Sequence, residues 1–309
     1  MTQDSDQHDV YAYGVIAPST LIELGDSFPD PAGYAEIERI YPSFGGEAAS
    51  SAYVLARLGV AVRLNGTRLP DDSESRRVID RFTDAGVDCS AVTLDGDTPV
   101  TEIVFSSGGE RTVLGTYGRM LADRAWSRPS RRDIASSRVV CLDPFFGTES
   151  ELAARWCLDE GVPYVTVDTE PDTELARHAD VLIISEEFAS RTFDRIDYES
   201  IHSQYTRRCR GLVIVTRGGR QLLFGRQGDP VRRRAPFEIT PRDTAGAGDS
   251  FRAGIIHGLL RGQSDDDLIT TACAIAAMVC QTSPGVLHSP TPRDLENFLQ
   301  DRAGDAADD

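Results

Sequence analysis

The segment Asp243-Thr244-Ala245-Gly246-Ala247-Gly248-Asp249 puts small side chains where a backbone would approach an anion, and it runs into an apolar-periodic stretch, Phe251 to Leu260. A helix N-terminus carries unpaired N–H groups and a partial positive charge, so a helix opening at Gly246–Asp249 can bind phosphate without a lysine. A carboxylate in that first turn, Asp249, is suited to take a proton from a hydroxyl as a phosphoryl group arrives. A lone Gly-x-Gly before a helix more often marks an Asp-capped turn, whereas the full run is much more specific.

What the chain lacks narrows the chemistry further. All 32 basic residues are arginine, which removes the P-loop G-x-x-x-x-G-K-[ST], the protein-kinase β3 lysine and Schiff-base catalysis. Phosphate must therefore be held by backbone N–H groups, arginine or a metal ion. A net charge of −17 argues against general nucleic-acid binding, which needs a cationic surface. High-salt cytoplasm and GC-rich coding both account for an acidic, lysine-free composition. With 40% hydrophobic and 26% charged residues, the 309-residue chain can bury a sizeable core. No apolar run approaches transmembrane length, and the polar, acidic Met1 to Asp9 does not make a signal peptide. A cytoplasmic protein with no membrane partner is expected. The six cysteines are scattered, without a C-x-x-C pair, and read as reduced, buried hydrophobes with no structural zinc.

A second stretch, Gly45-Gly46-Glu47-Ala48-Ala49-Ser50-Ser51-Ala52, lies about 200 residues before the first. Together they resemble the two signatures of the ribokinase-like (PfkB) carbohydrate kinases, G-G-x-x-x-N and D-T-x-G-A-G-D, in the family's order. The resemblance runs from Tyr11 to about Leu299 and is patchy in the acceptor half. It implies ATP-dependent, magnesium-requiring phosphoryl transfer to a hydroxyl of a sugar or sugar-like small molecule. Asp249 would be the general base and the backbone of Gly246, Ala247, Gly248 and Asp249 the anion hole, with Asp243 and Thr244 bracing the loop near the phosphates. Thr216-Arg217-Gly218 resembles the family's T-x-G-x-x-G nucleotide segment, with Gln221 in place of its last glycine; a plain Gly-Gly turn is the alternative. The small-residue helix Ala272 to Cys280, through Ala277, is implied to lie beside the adenine. Thr282-Ser283-Pro284-Gly285, with Ser289, resembles a loop whose carbonyls hold a monovalent cation such as K+.

The departures from the pattern bear on mechanism and substrate. Ser185-Glu186-Glu187 stands where the family has N-x-x-E, which organises magnesium through water, so Glu186 or Glu187 is the expected substitute. In the acceptor half Ser19 replaces an aspartate and Ser50 replaces the asparagine of G-G-x-x-x-N. With Gly45, Gly46 and Asp249 they imply a roomier, less charged floor, suited to a bulky or anionic acceptor with Arg111 as counter-charge. Glu102 and Asp143 are further candidate contacts. A nucleoside kinase of the same fold, with Tyr13, Phe44 and Tyr117 lining a base slot, is the closest rival reading. A non-catalytic sugar-sensing member of the fold is the other.

To position these residues the chain needs an α/β frame, and its patterning supplies one. Val10 to Leu24 reads as a first strand and turn, Ser50 to Leu58 as a helix stopped by Gly59, Val60 to Leu64 as a strand, and Ser75 to Ala85 as a helix. Thr98 to Phe105 and Arg111 to Thr116 suggest a hairpin turning at Ser107-Gly108-Gly109. From Arg138 onward strands (138–142, 163–167, 181–184, 212–215) alternate with helical stretches, the later ones almost wholly apolar, as in a parallel sheet covered on both faces. The expected fold is a doubly wound, mostly parallel sheet flanked by helices, one domain over residues 10–300. The family implies a small β-sheet lid, here about 21–44 and 98–117, which would keep water from competing for the phosphoryl group. A homodimer through that lid is the candidate assembly. The acidic ends, 1–9 and 301–309, are expected to be disordered.

Overall fold

A computed structural model describes residues 8–107 and 110–305, so the turn expected at Gly108-Gly109 lies outside the described residues. Strand β1 (Val10–Gly14) is buried throughout, and the chain passes from it through Val15 and Ile16 into β2 (Ala17–Leu24), a strand of a different sheet. The stretch read as one strand and turn is therefore two strands. The break falls where the N–H groups of Val15 and Ile16 bond to side chains, Asp143 Oδ2 at 2.8 Å and Thr67 Oγ1 at 3.0 Å. Strand β3 (Ile37–Gly45) returns the chain to helix α1 (Glu47–Arg57), followed by β4 (Val62–Gly66), α2 (Ser73–Asp84) and the short β5 (Val87–Asp88). Strands β6 (Glu102–Ser107) and β7 (Glu110–Gly115) form the expected hairpin.

The rest is layered α/β. Helices α3 (Tyr117–Asp123) and α4 (Arg131–Ala135) lead to β8 (Val139–Leu142), α5 (Thr148–Glu160), β9 (Tyr164–Val167), α6 (Glu174–His178) and β10 (Val181–Ser185). Helices α7 (Glu186–Thr192) and α8 (Tyr198–Thr206) precede β11 (Leu212–Arg217), β12 (Arg220–Gly225) and β13 (Arg232–Arg234). Helices α9 (Ala247–Leu260), α10 (Asp265–Cys280) and α11 (Pro292–Asp305) close the chain. Residues 301–305, read above as part of a disordered tail, continue α11, and His8 and Asp9, read as part of the other, join the fold, His8 buried against the Asp133 carbonyl at 3.1 Å and Asp9 N–H bonded to the Ala61 carbonyl at 2.8 Å; residues 1–7 and 306–309 lie outside the described residues.

Nine strands form one sheet in the order β13-β12-β11-β10-β9-β8-β1-β4-β5, parallel except at β12 and β13. Alternate residues of β1 serve opposite faces: Val10 and Ala12 pack with α1, α9 and α10, and Tyr11 and Tyr13 with α4, α5 and α8. Strand order reverses between β8 and β1, the switch point at which open α/β sheets bind ligands beyond their carboxyl ends. Over that edge lies a four-stranded lid, β3-β2-β6-β7. Its strands run over 17–24, 37–45, 102–107 and 110–115, so it starts earlier than the expected lid and its second half is shorter. Register puts Ser19, Ser43 and Glu102 in one row and Leu21, Val104 and Val113 in the next, on the face toward the cleft.

Candidate active site

The segment 243–249 forms the predicted helix mouth. Gly246 precedes α9 at φ +75°, a left-handed conformation that glycine adopts without strain, and no side chain caps the helix. The first i→i−4 bond runs from Ser250 N–H to the Gly246 carbonyl at 2.9 Å. The N–H groups of Gly248 and Asp249 precede it and belong to the open first turn. Ala247 departs from expectation: its N–H turns back to the Thr244 carbonyl at 3.2 Å. The cradle therefore reduces to Gly246, Gly248 and Asp249. A Cβ at Gly248 would meet no atom within 4 Å, so this backbone borders open space in the cleft. Asp243 Oδ1 accepts from Ala245 N–H at 2.9 Å and Oδ2 from Gly285 N–H at 3.0 Å, which staples the cradle to the loop at 282–289.

Asp249 lies half-buried in a cleft of about 280 Å³. Ser19, Ser43, Gly45, Gly46, Ser50, Glu102 and Tyr117 line one end, and Asp168, Ser185, Glu187 and Asp243 the other. The two glycines of the N-terminal motif are structural necessities. A Cβ on Gly45 would lie 2.0 Å from Glu102 Oε1, and Gly46 sits at φ +96° with its Cβ direction blocked by the Val15 carbonyl at 2.2 Å. The missing side chain of Gly45 lets Glu102 lie against the backbone, where it accepts a hydrogen bond from Tyr117. Burial pushes the Asp249 carboxyl well above the usual carboxylate range; Arg252 opposes that rise and Asp143 adds to it. Glu47, in the first turn of α1, is raised by burial and by the negative charges of Asp143 and Asp249. Burial and Glu102 likewise raise the Tyr117 hydroxyl.

The acceptor floor is thus more acidic than Ser19 and Ser50 suggest. Both serines line it, and Glu47 and Glu102 line it with them. Arg111 faces the other end, donating to the Thr244 carbonyl at 2.7 Å and pairing with Glu187 at 3.4 Å. Asp143 is wholly buried, with Val15 N–H, Ala48 N–H and Arg252 on its carboxylate, and does not line the cleft. Tyr13 is core, stacked on Tyr11 and edge-on to Phe146, while Phe44 packs on Tyr53 and Phe82. Of the three aromatics proposed for a base slot, Tyr13 is therefore removed.

At the nucleotide end, Ser185 caps α7 and bonds Asp168 with both its N–H (2.7 Å) and its hydroxyl (2.8 Å). Asp168 adopts φ +41°, and burial raises its carboxyl. The two glutamates diverge because they are adjacent on a helix: Glu187 reaches the cleft, while Glu186 turns away to Arg220 and Tyr198. Thr216 pairs in register with Ser185, but Arg217 stacks on the Tyr198 ring at 4.4 Å and Gly218, at φ +57°, makes a tight turn into β12. These residues border the strand ends beside the cleft. Ala277 is buried on α10, which packs against α9. Gly285 and Ser289 sit on the stapled loop, where the Ser289 carbonyl accepts from Arg57 Nε at 3.4 Å.

Sequence reasoning missed Glu47, Asp168, Ser51 and Arg252. Asp168 directly follows an apolar strand at the carboxyl edge of the sheet, which is a usable signal. Arg252, a charge inside an apolar-periodic run, is another.

The pfkB family carbohydrate kinase model matches residues 9–292. The chain is 29% identical over 298 residues to an ATP-dependent ribose-1-phosphate kinase of Halopiger xanaduensis, covering 90% of this chain and 93% of that one. It is 27% identical over 253 residues to mouse (Mus musculus) ketohexokinase, covering 76% and 84%. Among solved structures, Arabidopsis thaliana ribokinase complexed with ribose and ATP superposes with a TM-score of 0.77 at 19% identity, covering 95% of this chain and 99% of that one. With both signatures formed around one cleft and the family match spanning nearly the whole sequence, the chain belongs to the pfkB family of carbohydrate kinases and is an ATP-dependent sugar kinase.

Proposed function

We propose that this enzyme transfers the γ-phosphoryl group of ATP to a hydroxyl of a neutral, polyhydroxylated acceptor held under the lid, with Asp249 as general base. One observation carries the reading: the Asp249 carboxyl and the open first turn of α9 share a cleft with Ser19, Ser43, Ser50, Glu47 and Glu102. Those hydroxyl and carboxyl groups suit hydroxyl-rich ligands, and the Glu102 carboxylate among them opposes an anionic one. The acceptor hydroxyl gives its proton to Asp249 as its oxygen bonds to phosphorus and the ADP oxygen leaves. The Gly246, Gly248 and Asp249 N–H groups hold the transferring oxygens, because positioning and charge stabilisation are most of what the protein contributes.

Glu187 and Asp168 supply oxygen donors suited to a hard divalent ion. Among the described residues no three such side chains form a complete cage, as fits an ion that keeps its waters and phosphate ligands. When bound, that ion neutralises charge on the phosphates. A monovalent cation at Gly285 and Ser289 fits less well, since Arg57 already brings a permanent positive charge to the Ser289 carbonyl. Six free cysteines and a requirement for ATP support a cytoplasmic enzyme, and among the described residues no helix is long and apolar enough to cross a membrane.

The test is ADP release with ATP and magnesium across sugars, polyols, sugar phosphates, sugar acids and nucleosides. Neutral sugars or polyols should show the highest kcat/KM. A preference for sugar phosphates or acids would overturn the acceptor assignment, a preference for nucleosides would favour the rival kinase, and no turnover would favour a sensor. We also propose pairing of two chains through the outer lid face, where Ile40 (59% exposed), Leu114 (53%) and Ile103 (38%) stand with Ile22 and Phe105. Light scattering should give a dimer for the wild type and a monomer for Ile40→Asp.

A further inference from the structure

We propose that Arg252 is a positioning residue for phosphoryl transfer: its buried guanidinium, anchored on Asp143, keeps the carboxylate of Asp249 ionised and ready to accept a proton. The proposal rests on the reading of Asp249 as the base. Arg252 is 0% exposed, the largest fully buried side chain among the described residues. A charge in that position is costly unless paired, and its Nη1 lies 2.7 Å from Asp143 Oδ1. The other Asp143 oxygen is committed to the backbone N–H groups of Val15 (2.8 Å) and Ala48 (3.1 Å). Arg252 is therefore fixed to the end of β1, the start of α1 and the end of β8 together. Its Nε donates to Ser51 Oγ at 3.0 Å, and that hydroxyl lies 3.1 Å from the carbonyl of Asp249 itself. Nη2 has no hydrogen-bond partner among the described residues, so the guanidinium is not saturated by these contacts.

Arg252 follows Asp249 by three positions on α9, which puts the two on one helical face. Stability alone does not account for an arginine there. An apolar side chain of similar volume usually holds such a site as well as a buried ion pair or better. Electrostatics does account for it. Asp249 is faced by Asp143 at the end of β8 and Glu102 of β6, whose negative charges disfavour another, and by Glu47 of α1, Cys141 of β8 and Tyr117 of α3, whose own ionisation burial suppresses. The cations opposing them are Arg111 and Arg252. Arg111 sits at the exposed end of β7 and is already tied to Thr244 and Glu187. Arg252 is the wholly buried cation on the same helix as Asp249.

The two partners have opposite signs, which gives the test its force. Turnover needs ionised Asp249, so kcat is present above its pKa and lost as pH falls through it. Arg252→Gln removes a positive neighbour and should move the acid limb of the kcat–pH profile upward by about 1 to 3 pH units. The variant would then lose tenfold or more at neutral pH and recover at alkaline pH. Arg252→Lys should restore most of the wild-type profile. Asp143→Asn removes a negative neighbour and should move the limb downward. A pH-independent loss in Arg252→Gln, or a shift of both variants in one direction, would overturn the proposal. Should Arg252→Gln fail to fold or to bind ADP, the profiles of Asp143→Asn and Arg252→Lys decide it by the same signs. Asp249→Asn separates the two layers. If it keeps more than about a third of kcat, where loss of a positioned base costs about 10²- to 10⁴-fold, the base reading falls and this proposal with it. If it is inactive and the limbs do not move, only this proposal falls.

Discussion

The Gly248 and Asp249 pair gives the sharpest test at the level of single residues. Because a side chain at Gly248 would meet no protein atom within 4 Å, Gly248→Val should leave folding intact while filling the space a phosphate would occupy. We expect kcat to fall about 10²- to 10³-fold, the scale of losing one anion-hole donor, with a smaller change in ATP affinity. Near-normal kcat would reduce the loop to a helix cap. The adjacent glutamates allow a contrast. Glu187 faces the cleft and Glu186 is paired away from it, so Glu187→Gln should raise the magnesium needed for half-maximal rate and Glu186→Gln should not. Equal responses would remove the distinction. The helix mouth at 246–249 was legible in the sequence because its residues are contiguous. The Asp143–Arg252 pair was not, since its members lie 109 positions apart and meet only once β8 and α9 are packed. The choice between Glu186 and Glu187 was illegible for another reason: helical phase, not residue type, decides which one faces the cleft.

Helices and strands with a clear apolar period were read correctly to within a few residues, because the pattern that marks them also buries them. Strand β13 escaped notice. Arg232-Arg233-Arg234 has no apolar alternation and is held from outside by pairing with β12, by Asp265, Asp266 and Glu199, and by Phe224 beneath Arg232 at 4.5 Å. Helix α10 was read from its small residues, and their first use is close packing. A Cβ on Gly254 of α9 would lie 2.5 Å from the Ala272 Cα of α10. Gly254→Val should therefore force the helices apart and destabilise the protein by about 1–3 kcal/mol, seen as a lower urea midpoint with unchanged m. A midpoint at or above wild type would mean that the α9–α10 contact has slack.

For the molecule as a whole, a charge of −17 without a single lysine means that self-repulsion acts against the compact state. Added salt screens it; the Debye length falls from about 10 Å at 0.1 M to about 3 Å at 1 M. The melting temperature should climb by several degrees over that range in KCl, and a flat or falling curve would show that the acidic surface carries no net strain. The doubly wound sheet was legible in outline, since alternating apolar strands and helices leave few other architectures; the small sheet was expected from the family resemblance. The lid's pairing order was not. It joins β2 to β6 in parallel across roughly 80 intervening residues, a long-range contact that no local pattern announces.

That pairing also fixes an order of events in folding. The first two lid strands leave the ribosome before α1, β4, α2 and β5, yet β2 has no partner on its β6 side until those elements have been made. Until then the β2–β3 hairpin presents an open edge, and closing so distant a pair is slow. The four-stranded sheet should thus be among the last parts to gain protection. Pulse-labelled hydrogen exchange would detect this as amides of β1 and β4 protected ahead of those in β2 and β6, and simultaneous protection of both sheets would refute it. A nascent chain in that interval would hold Gly45 while still lacking Glu102, the side chain for which that glycine leaves room.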